Sequence, residues 1–132
     1  MAADQDVAEL LEDEGVGTIG LTLFVGEIPA DVAAAVGVTM YPGGPPEHVL
    51  NGIAGPTLDM PRLQIVSRHT AEATAISKAQ DSMVALSKIA NQTIEGTRYR
   101  NITVLQSVGL LFRDQAGNRP HYGFNVECER EI

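Results

Sequence analysis

One stretch of the sequence, residues 70–91 (TAEATAISKAQDSMVALSKIAN), constrains the fold more than any other. Thr70 is the predicted N-cap, Glu72 places a carboxylate in the first turn, and Asn91 is the predicted stop. A lone amphipathic helix needs a partner surface, so we expect the rest of the chain to supply one. The apolar residues recur at alternating steps of three and four, which places them on one stripe of a helix: Ile76, Ala79, Met83, Leu86 and Ala90.

Several other apolar segments have the composition of β-strands. Residues 21–27 are apolar on both faces, which is typical of an inner strand, and residues 36–41 form a second short run. Residues 60–69 alternate between apolar and polar side chains, as a half-buried strand does. Residues 97–106 read as a strand that changes face near Asn101, which indicates a β-bulge.

The C-terminal part of the sequence predicts a β-hairpin. Residues 110–113 are expected to pair with residues 122–127 across a turn at residues 114–120. Alternation in the second strand places one set of side chains on the buried face: Tyr122, Phe124, Val126 and Cys128. The other set is predicted to face outward: His121, Asn125 and Glu127.

Together with a short first helix at residues 4–14, these segments give the order α-β-β-β-α-β-β-β. We predict an α+β fold, with a mostly antiparallel sheet of about five or six strands and two helices packed on one face. The 132 residues fit a single domain, 1–132. Residues 42–56 hold four Pro and four Gly, and we expect a long loop that is functional or mobile.

Charge and composition exclude several functions. The chain has 9 basic and 17 acidic side chains, a formal net charge of −8, so specific binding to nucleic acid is not expected. The single cysteine, Cys128, cannot form an internal disulfide and is interpreted as a small packed hydrophobe. Because no run approaches the roughly 18 apolar residues of a membrane span, we expect no membrane insertion.

No motif in the sequence indicates a reaction. Residues 15–20 (GVGTIG) match G-x-G-x-x-G, but they follow a helix and open a strand, which is the reverse of a dinucleotide site, so we predict a turn. His48, His69 and His121 lack ligand spacing with one another or with Cys128, and we interpret them as surface or loop residues. We therefore predict no catalytic residue, no metal site and no cofactor.

Four arginines cluster in the C-terminal third of the chain: Arg98, Arg100, Arg113 and Arg119. They could contact a phosphate or a carboxylate ligand. They could instead cover sheet edges with their stems and pair with acidic residues of a neighbouring subunit, which is the interpretation we favour.

The order and spacing of four segments resemble a family of small bacteriophage proteins. The segments are LFVGEIP (23–29), YPGGPP (41–46), GTRYRNITVLQS (96–107) and LFRDQAGNRPHYGFNVE (111–127). Proteins of this family are labelled minor capsid proteins and are similar to tail-terminator or head–tail joining proteins of long-tailed phages. The resemblance covers nearly the whole chain, and it implies an α+β subunit without catalytic residues that closes into a ring, commonly a hexamer.

The resemblance also implies where such a ring works. It would cap the finished tail tube and join it to the head connector, in the virion at the head–tail interface, after synthesis in the host cytoplasm. Its partners would be further copies of itself, the tail tube protein and the connector or neck proteins, while DNA passes through the lumen without specific binding. We expect the contacts to subunit, tube or neck at Tyr41, Pro42, Gly43, Gly44, Pro45, Pro46, Arg98, Arg100, Arg113, Asp114 and Arg119.

Other functions stay open at this point. A neck stopper or adaptor that binds the portal side has the same sequence signature as a terminator. A small ligand-binding or metabolic enzyme domain would use residues 15–20 and the arginines. A host-directed regulatory protein would be absent from particles.

Overall fold

The computed structural model describes residues 2–41, 58–115 and 117–131. The predicted loop at 42–56 lies outside these residues. The two helices are α1 (Ala3–Asp13) and α2 (Glu72–Ser87). The described part of the chain has eight strands: β1 (Leu23–Val25), β2 (Ala35–Tyr41), β3 (Leu58–Asp59), β4 (Arg62–Arg68), β5 (Ala90–Ile94), β6 (Thr97–Val104), β7 (Gly109–Arg113) and β8 (Pro120–Glu131).

All eight strands belong to one sheet, and β8 is its central strand. The main path is β1-β2-β4-β8-β6-β5, and β3 and β7 also pair with β8. Along one edge β8 pairs with β3 and β4, and along the other with β6 and β7, all four antiparallel. Only β1 and β2 run parallel among the described strands, so the sheet is mixed. The predicted α+β class is therefore confirmed, with more strands than the five or six expected.

The predicted C-terminal hairpin and bulge are both present. The hairpin forms between β7 and β8, with Leu110 opposite Tyr122 and Arg113 opposite Pro120, so β7 pairs with residues 120–123 and not with residues 122–127 as predicted. The bulge predicted near Asn101 is present as a register shift between Tyr99 and Asn101 against β8. These features depend on short-range alternation and turn residues, which is why the sequence alone predicts them.

Helix α2 is shorter than predicted at both ends. The residue before its first turn is Ala71, whose N–H donates to Nδ1 of His69 at 2.9 Å, so Thr70 is not the N-cap. The helix ends at Ser87, and Ala90 lies in β5, a strand that the sequence reading missed. The helix packs on β4, β6 and β8. Its partly buried apolar residues are Ile76 and Met83, and its buried residues are Ala75, Ala79, Ser82, Ala85 and Leu86.

Strand β1 is an edge strand rather than the inner strand that its composition predicted. Among the described strands it pairs only with β2, and an isolated bridge joins Leu23 to Ile19. Leu23 is buried and contributes to the same core cluster as α1, whereas Val25 is exposed. A strand at a sheet edge can be apolar on both faces without being covered on both, so composition alone did not distinguish the two cases.

Helix α1 buries an acidic residue together with its apolar face. Val7 and Leu11 are fully buried, and so is Asp6. The hydroxyl of Tyr99 on β6 donates to Oδ2 of Asp6 at 2.7 Å. Burial, and secondarily this hydrogen bond, raises the pKa of Tyr99 well above its ordinary value. The pair ties α1 to the central part of the sheet.

One hydrophobic core lies between the helices and a single face of the sheet. It contains residues of α1 and α2 together with alternate residues of β4 and β8, including Leu63, Ile65, Phe124 and Val126. Cys128 is fully buried in this core, which confirms it as a packed hydrophobe, and burial raises the pKa of its thiol to about 12.

Candidate assembly surfaces

The turn between β7 and β8 brings three of the predicted contact residues together. Oδ2 of Asp114 accepts from Nε of Arg119 at 2.9 Å and lies 3.0 Å from Nε2 of His121. Oδ1 of Asp114 accepts the backbone N–H groups of Gly117 and Arg119 at 3.1 and 3.3 Å. The hydrogen bond from His121, followed by these donors, holds the pKa of the Asp114 carboxyl well below its usual range.

Two buried arginines fasten the segment after β1 to this turn. Nη1 of Arg119 donates to the carbonyl of Val32 at 3.1 Å, and Nη2 donates to the carbonyl of Ala30 at 3.2 Å. Nη2 of Arg68, at the end of β4, donates to the carbonyl of Pro29 at 2.6 Å and also to that of Val32. Arg119 and Arg68 therefore set the shape of the segment and are not free to contact a partner. The alternation of residues 60–69 marks Arg68 only as a polar residue of a half-buried strand.

His121 was predicted to be a surface residue, and the structure shows that this was wrong. It does lie on the face of β8 away from the helices, but it is buried. The ring of Phe112 stacks on it with centroids 4.1 Å apart, and Asp114 contacts its edge. Phe112 of β7 and Asp114 of the turn cover the imidazole. The alternation of residues along β8 does not report contacts with these two side chains.

The turn cluster consists of Arg113, Asp114, Arg119 and His121, and of these four only Arg113 is exposed. Its Nη2 lies 3.4 Å from Oε2 of Glu72 at the start of α2, and its Nη1 donates to the carbonyl of Asn118 at 3.3 Å. Glu72 also accepts a hydrogen bond from the hydroxyl of Tyr122, which raises the pKa of that tyrosine. The N-terminus of α2 is thereby held to the hairpin by side chains of both strands.

Arg98 and Arg100 lie apart from this cluster, on β6. Their Nε atoms are 3.8 and 3.3 Å from Oε2 of Glu131 at the end of β8. All three side chains are well exposed, so each pair contributes at most about 1 kcal/mol. Tyr41 is half-buried at the end of β2, and residues 42–46 lie outside the described part of the chain.

Of the seven exposed large apolar side chains in the described residues, four lie on or beside β1 and β7, and the other three are Met40, Val84 and Leu105. At the β1 end, Leu21 and Val25 are exposed. On β7, Leu110 and Phe112 are 51% and 54% exposed. Exposed apolar groups on a strand edge mark a surface that another chain can cover.

The family of this chain follows from a comparison of its sequence with models of protein families. Residues 10–132 match the model of a family described as bacteriophage tail terminator protein. The chain belongs to this family. A tail terminator is a structural protein of the virion, and the match extends over nearly all of the sequence. No curated protein sequence was found to match.

A solved structure shares the architecture of this tail terminator. A chain from the virion of a native gene transfer agent particle superimposes with a TM-score of 0.66 at 17% sequence identity. The alignment covers 99% of this chain and 96% of the other. At that identity the likeness establishes a common fold.

The remaining sequence motifs of this tail terminator have structural explanations. Gly15 and Gly20 adopt φ angles of +81° and +88° in the connection between α1 and β1, so the glycine-rich segment is a turn, as predicted. In residues 2–41, 58–115 and 117–131, no three His, Cys, Asp or Glu side chains are grouped to hold a metal ion. Neither helix within these ranges is long and apolar enough to cross a membrane.

Proposed function

We propose that this tail terminator assembles into a ring of identical subunits, a hexamer, that caps the tail tube, joins it to the head connector and catalyses no reaction. The observation that carries the proposal is the family match over residues 10–132. A ring requires heterologous contacts, in which one surface of a subunit meets a different surface of the next. The two separate apolar edges of the sheet are suited to such contacts.

The arginines divide into two groups under this proposal. Arg98, Arg100 and Arg113 are exposed, and each forms a weak ion pair with an acidic residue of the same chain. Replacing that partner by an acidic residue of a neighbouring subunit therefore costs little free energy. With Tyr41 and residues 42–46, these three are the proposed contacts to subunit, tube or neck. Asp114 and Arg119 are engaged within the hairpin turn and act by fixing its shape.

The negative charge of the chain suits passage of DNA. Each subunit carries a formal charge of −8, so a ring presents a strongly acidic particle to the polyanion moving through its lumen. Repulsion takes the place of the counterion release that would otherwise hold DNA to the wall. The lumen would therefore let DNA pass without specific binding.

Deletion of the gene from the phage separates this function from its nearest rival. Without a terminator, tube polymerisation has no stop, and we expect tails longer than those of the parent phage in electron micrographs. Tails of normal length that fail to join heads would instead identify an adaptor on the portal side. Complementation with the wild-type gene is the control for both outcomes.

The ring itself is tested by native mass spectrometry of the purified protein with and without tail tubes. We expect a closed oligomer of six copies, either in solution or on the tube end. A chain that stays monomeric under both conditions and is missing from purified virions would overturn the proposal.

A further inference from the structure

The sheet contains a row of five strands whose outer members are β1 and β7. Leu110 of β7 pairs with Tyr122, Tyr122 with Ser67, Ser67 with Val36, and Val36 with Leu23 of β1. β1 and β7 are therefore in register at opposite ends of the same row. A surface at each end of one row is the arrangement that head-to-tail association needs.

Strand β7 has one unpaired edge. Among the described strands it pairs only with β8. Leu110, opposite Tyr122, is directed to the helix side of the sheet, and Phe112, stacked on His121, is directed to the other side. An apolar strand with an open edge is a template for pairing with another chain.

Strand β1 also has an open edge, although part of it is already covered. The N–H of Leu23 donates to the carbonyl of Thr18, and the carbonyl of Leu23 accepts from the N–H of Gly20. The turn at 18–20 thus supplies hydrogen-bond partners for the N–H and C=O of Leu23, the first residue of β1 whose backbone groups point away from β2. The free part of this edge begins beyond Leu23.

The hydrogen bonds to β2 identify that free part. The carbonyl of Thr22 accepts from the N–H of Val36, and the N–H of Gly26 donates to the carbonyl of Val38. Because alternate residues of a strand direct their backbone groups to the same neighbour, the N–H and C=O of Val25 point away from β2. The side chain of Val25 is exposed as well.

The strand directions make the two edges compatible. β1 is parallel to β2, and the pairs β2–β4, β4–β8 and β8–β7 are all antiparallel. β7 therefore runs opposite to β1. If β7 of one copy meets β1 of the next in a continuing sheet, the new pair is antiparallel, which is the slightly more stable ladder.

We propose that β7 of one subunit adds to the β1 edge of the next, so that the sheet continues from copy to copy around the ring. The inference rests on the proposed ring and names the surface that closes it. Val25 of one copy then covers Leu110 of its neighbour. The strand β5 at the other end of the main path is a poorer candidate, because three of its four exposed residues are polar (Asn91, Gln92 and Thr93) and its backbone at Asn91 has a φ of +50°.

Charge substitution tests the β7 side. Leu110→Asp places a carboxylate in the proposed joint, and we expect the protein concentration at half-assembly to rise by at least about tenfold, as for a central apolar interface residue. Val84→Asp is the matched control, because Val84 on α2 is also 51% exposed and lies on no strand edge. Circular dichroism checks that both variants fold. Unchanged assembly of Leu110→Asp would overturn the inference.

Cross-linking tests the pairing itself. In a Val25→Cys, Leu110→Cys double variant treated with a short bismaleimide, we expect a ladder of covalent oligomers up to the closed ring. Each single variant should stay monomeric on a denaturing gel, because each joint then has one thiol. The native Cys128 does not interfere, since it is fully buried.

The outcomes distinguish the inference from the function on which it rests. Rings of the double variant without a ladder, or dimers of either single variant, would overturn the β1–β7 joint while leaving the ring in place. A wild-type chain that forms no ring on tail tubes would overturn both.

Discussion

At the residue scale, the buried contact between Tyr99 and Asp6 gives the clearest energetic expectation. Tyr99→Phe removes the donor to Oδ2 of Asp6, whose Oδ1 already has no hydrogen-bond partner in the described structure. Because a buried carboxylate loses its compensating donor, we expect the free energy of unfolding to fall by about 1–3 kcal/mol. Urea denaturation of the purified variant measures this change.

A double-mutant cycle with Asp6→Ala, which removes the acceptor, is the control for that substitution. If the two groups stabilise the fold through each other, the double variant should lose less stability than the sum of the single losses. Strict additivity, or a Tyr99→Phe variant as stable as the wild type, would contradict the assignment.

Asp114 gives an expectation for the pH dependence of stability. Its pKa is lowered in the folded state, whereas a free aspartate titrates near about 3.9. Its contribution is therefore fully present above that value and is lost as the pH falls through the folded-state pKa. We expect Asp114→Asn to be less stable than wild type at pH 7, with the difference shrinking as the pH is lowered below about 4.

Denaturant unfolding at a series of pH values measures this difference. Asp13→Asn, at the exposed end of α1, controls for the loss of one negative charge from the chain. A stability difference for Asp114→Asn that is the same at every pH would show that the negative charge of the Asp114 side chain does not stabilise the fold.

At this scale, the sequence shows which side chains are charged but not which residues surround them in the fold. The four arginines that are close in the sequence separate in the structure: Arg113 and Arg119 lie at the hairpin turn, whereas Arg98 and Arg100 lie near Glu131. Arg68 joins the hairpin turn only through the pairing of β4 with β8, where it lies opposite His121. No local pattern reports a contact between residues more than 50 positions apart, so the buried cluster could not be derived in advance.

At the element scale, alanine substitution of two glycines that face each other across the β7–β8 ladder is expected to change stability in different ways. A Cβ on Gly123 would lie 2.3 Å from the carbonyl oxygen of Ile65 on β4, so Gly123→Ala forces the central strands apart. We expect a loss of at least about 1–3 kcal/mol, the usual cost of overpacking. Thermal unfolding measures it.

Gly109→Ala is the matched control, since Gly109 pairs with Gly123 but a Cβ there meets no atom within 4 Å. We expect that variant to be as stable as wild type or slightly more so, because alanine restricts the unfolded chain. Equal losses for the two substitutions would mean that glycine is needed for backbone freedom and not for close strand packing.

Elements were predictable where sequence neighbours decide them. The hairpin and the bulge are short-range features, and both were found. β5 was missed because Ala90 continues the apolar spacing of α2, although Lys88 already ends the helix and β5 then pairs with β6. The edge position of β1 was missed for a different reason: strand order is a long-range property that composition does not encode.

At the scale of the whole molecule, net charge opposes the proposed edge pairing. Copies that each carry a formal charge of −8 repel, so the proposed association of apolar edges must overcome this repulsion. Raising the salt concentration from about 50 mM to about 500 mM shortens the screening length severalfold, so we expect a larger fraction of rings. Sedimentation velocity at fixed protein concentration measures the fraction.

The Leu110→Asp variant is the control for the salt series, because screening should not restore an apolar joint that has been removed. Rings of the wild type that dissociate in high salt would give the opposite result. They would assign assembly to ion pairs of Arg98, Arg100 and Arg113 with a neighbour's acids.

The position of β8 in the sequence has a consequence for synthesis. Among the described strands it comes last, yet it pairs with four of them, and it is the strand that joins β4 to β6. A nascent chain therefore cannot complete this sheet until Pro120–Glu131 has emerged from the ribosome. We expect a chain truncated before Pro120 to lack the pairings that connect β4, β6 and β7.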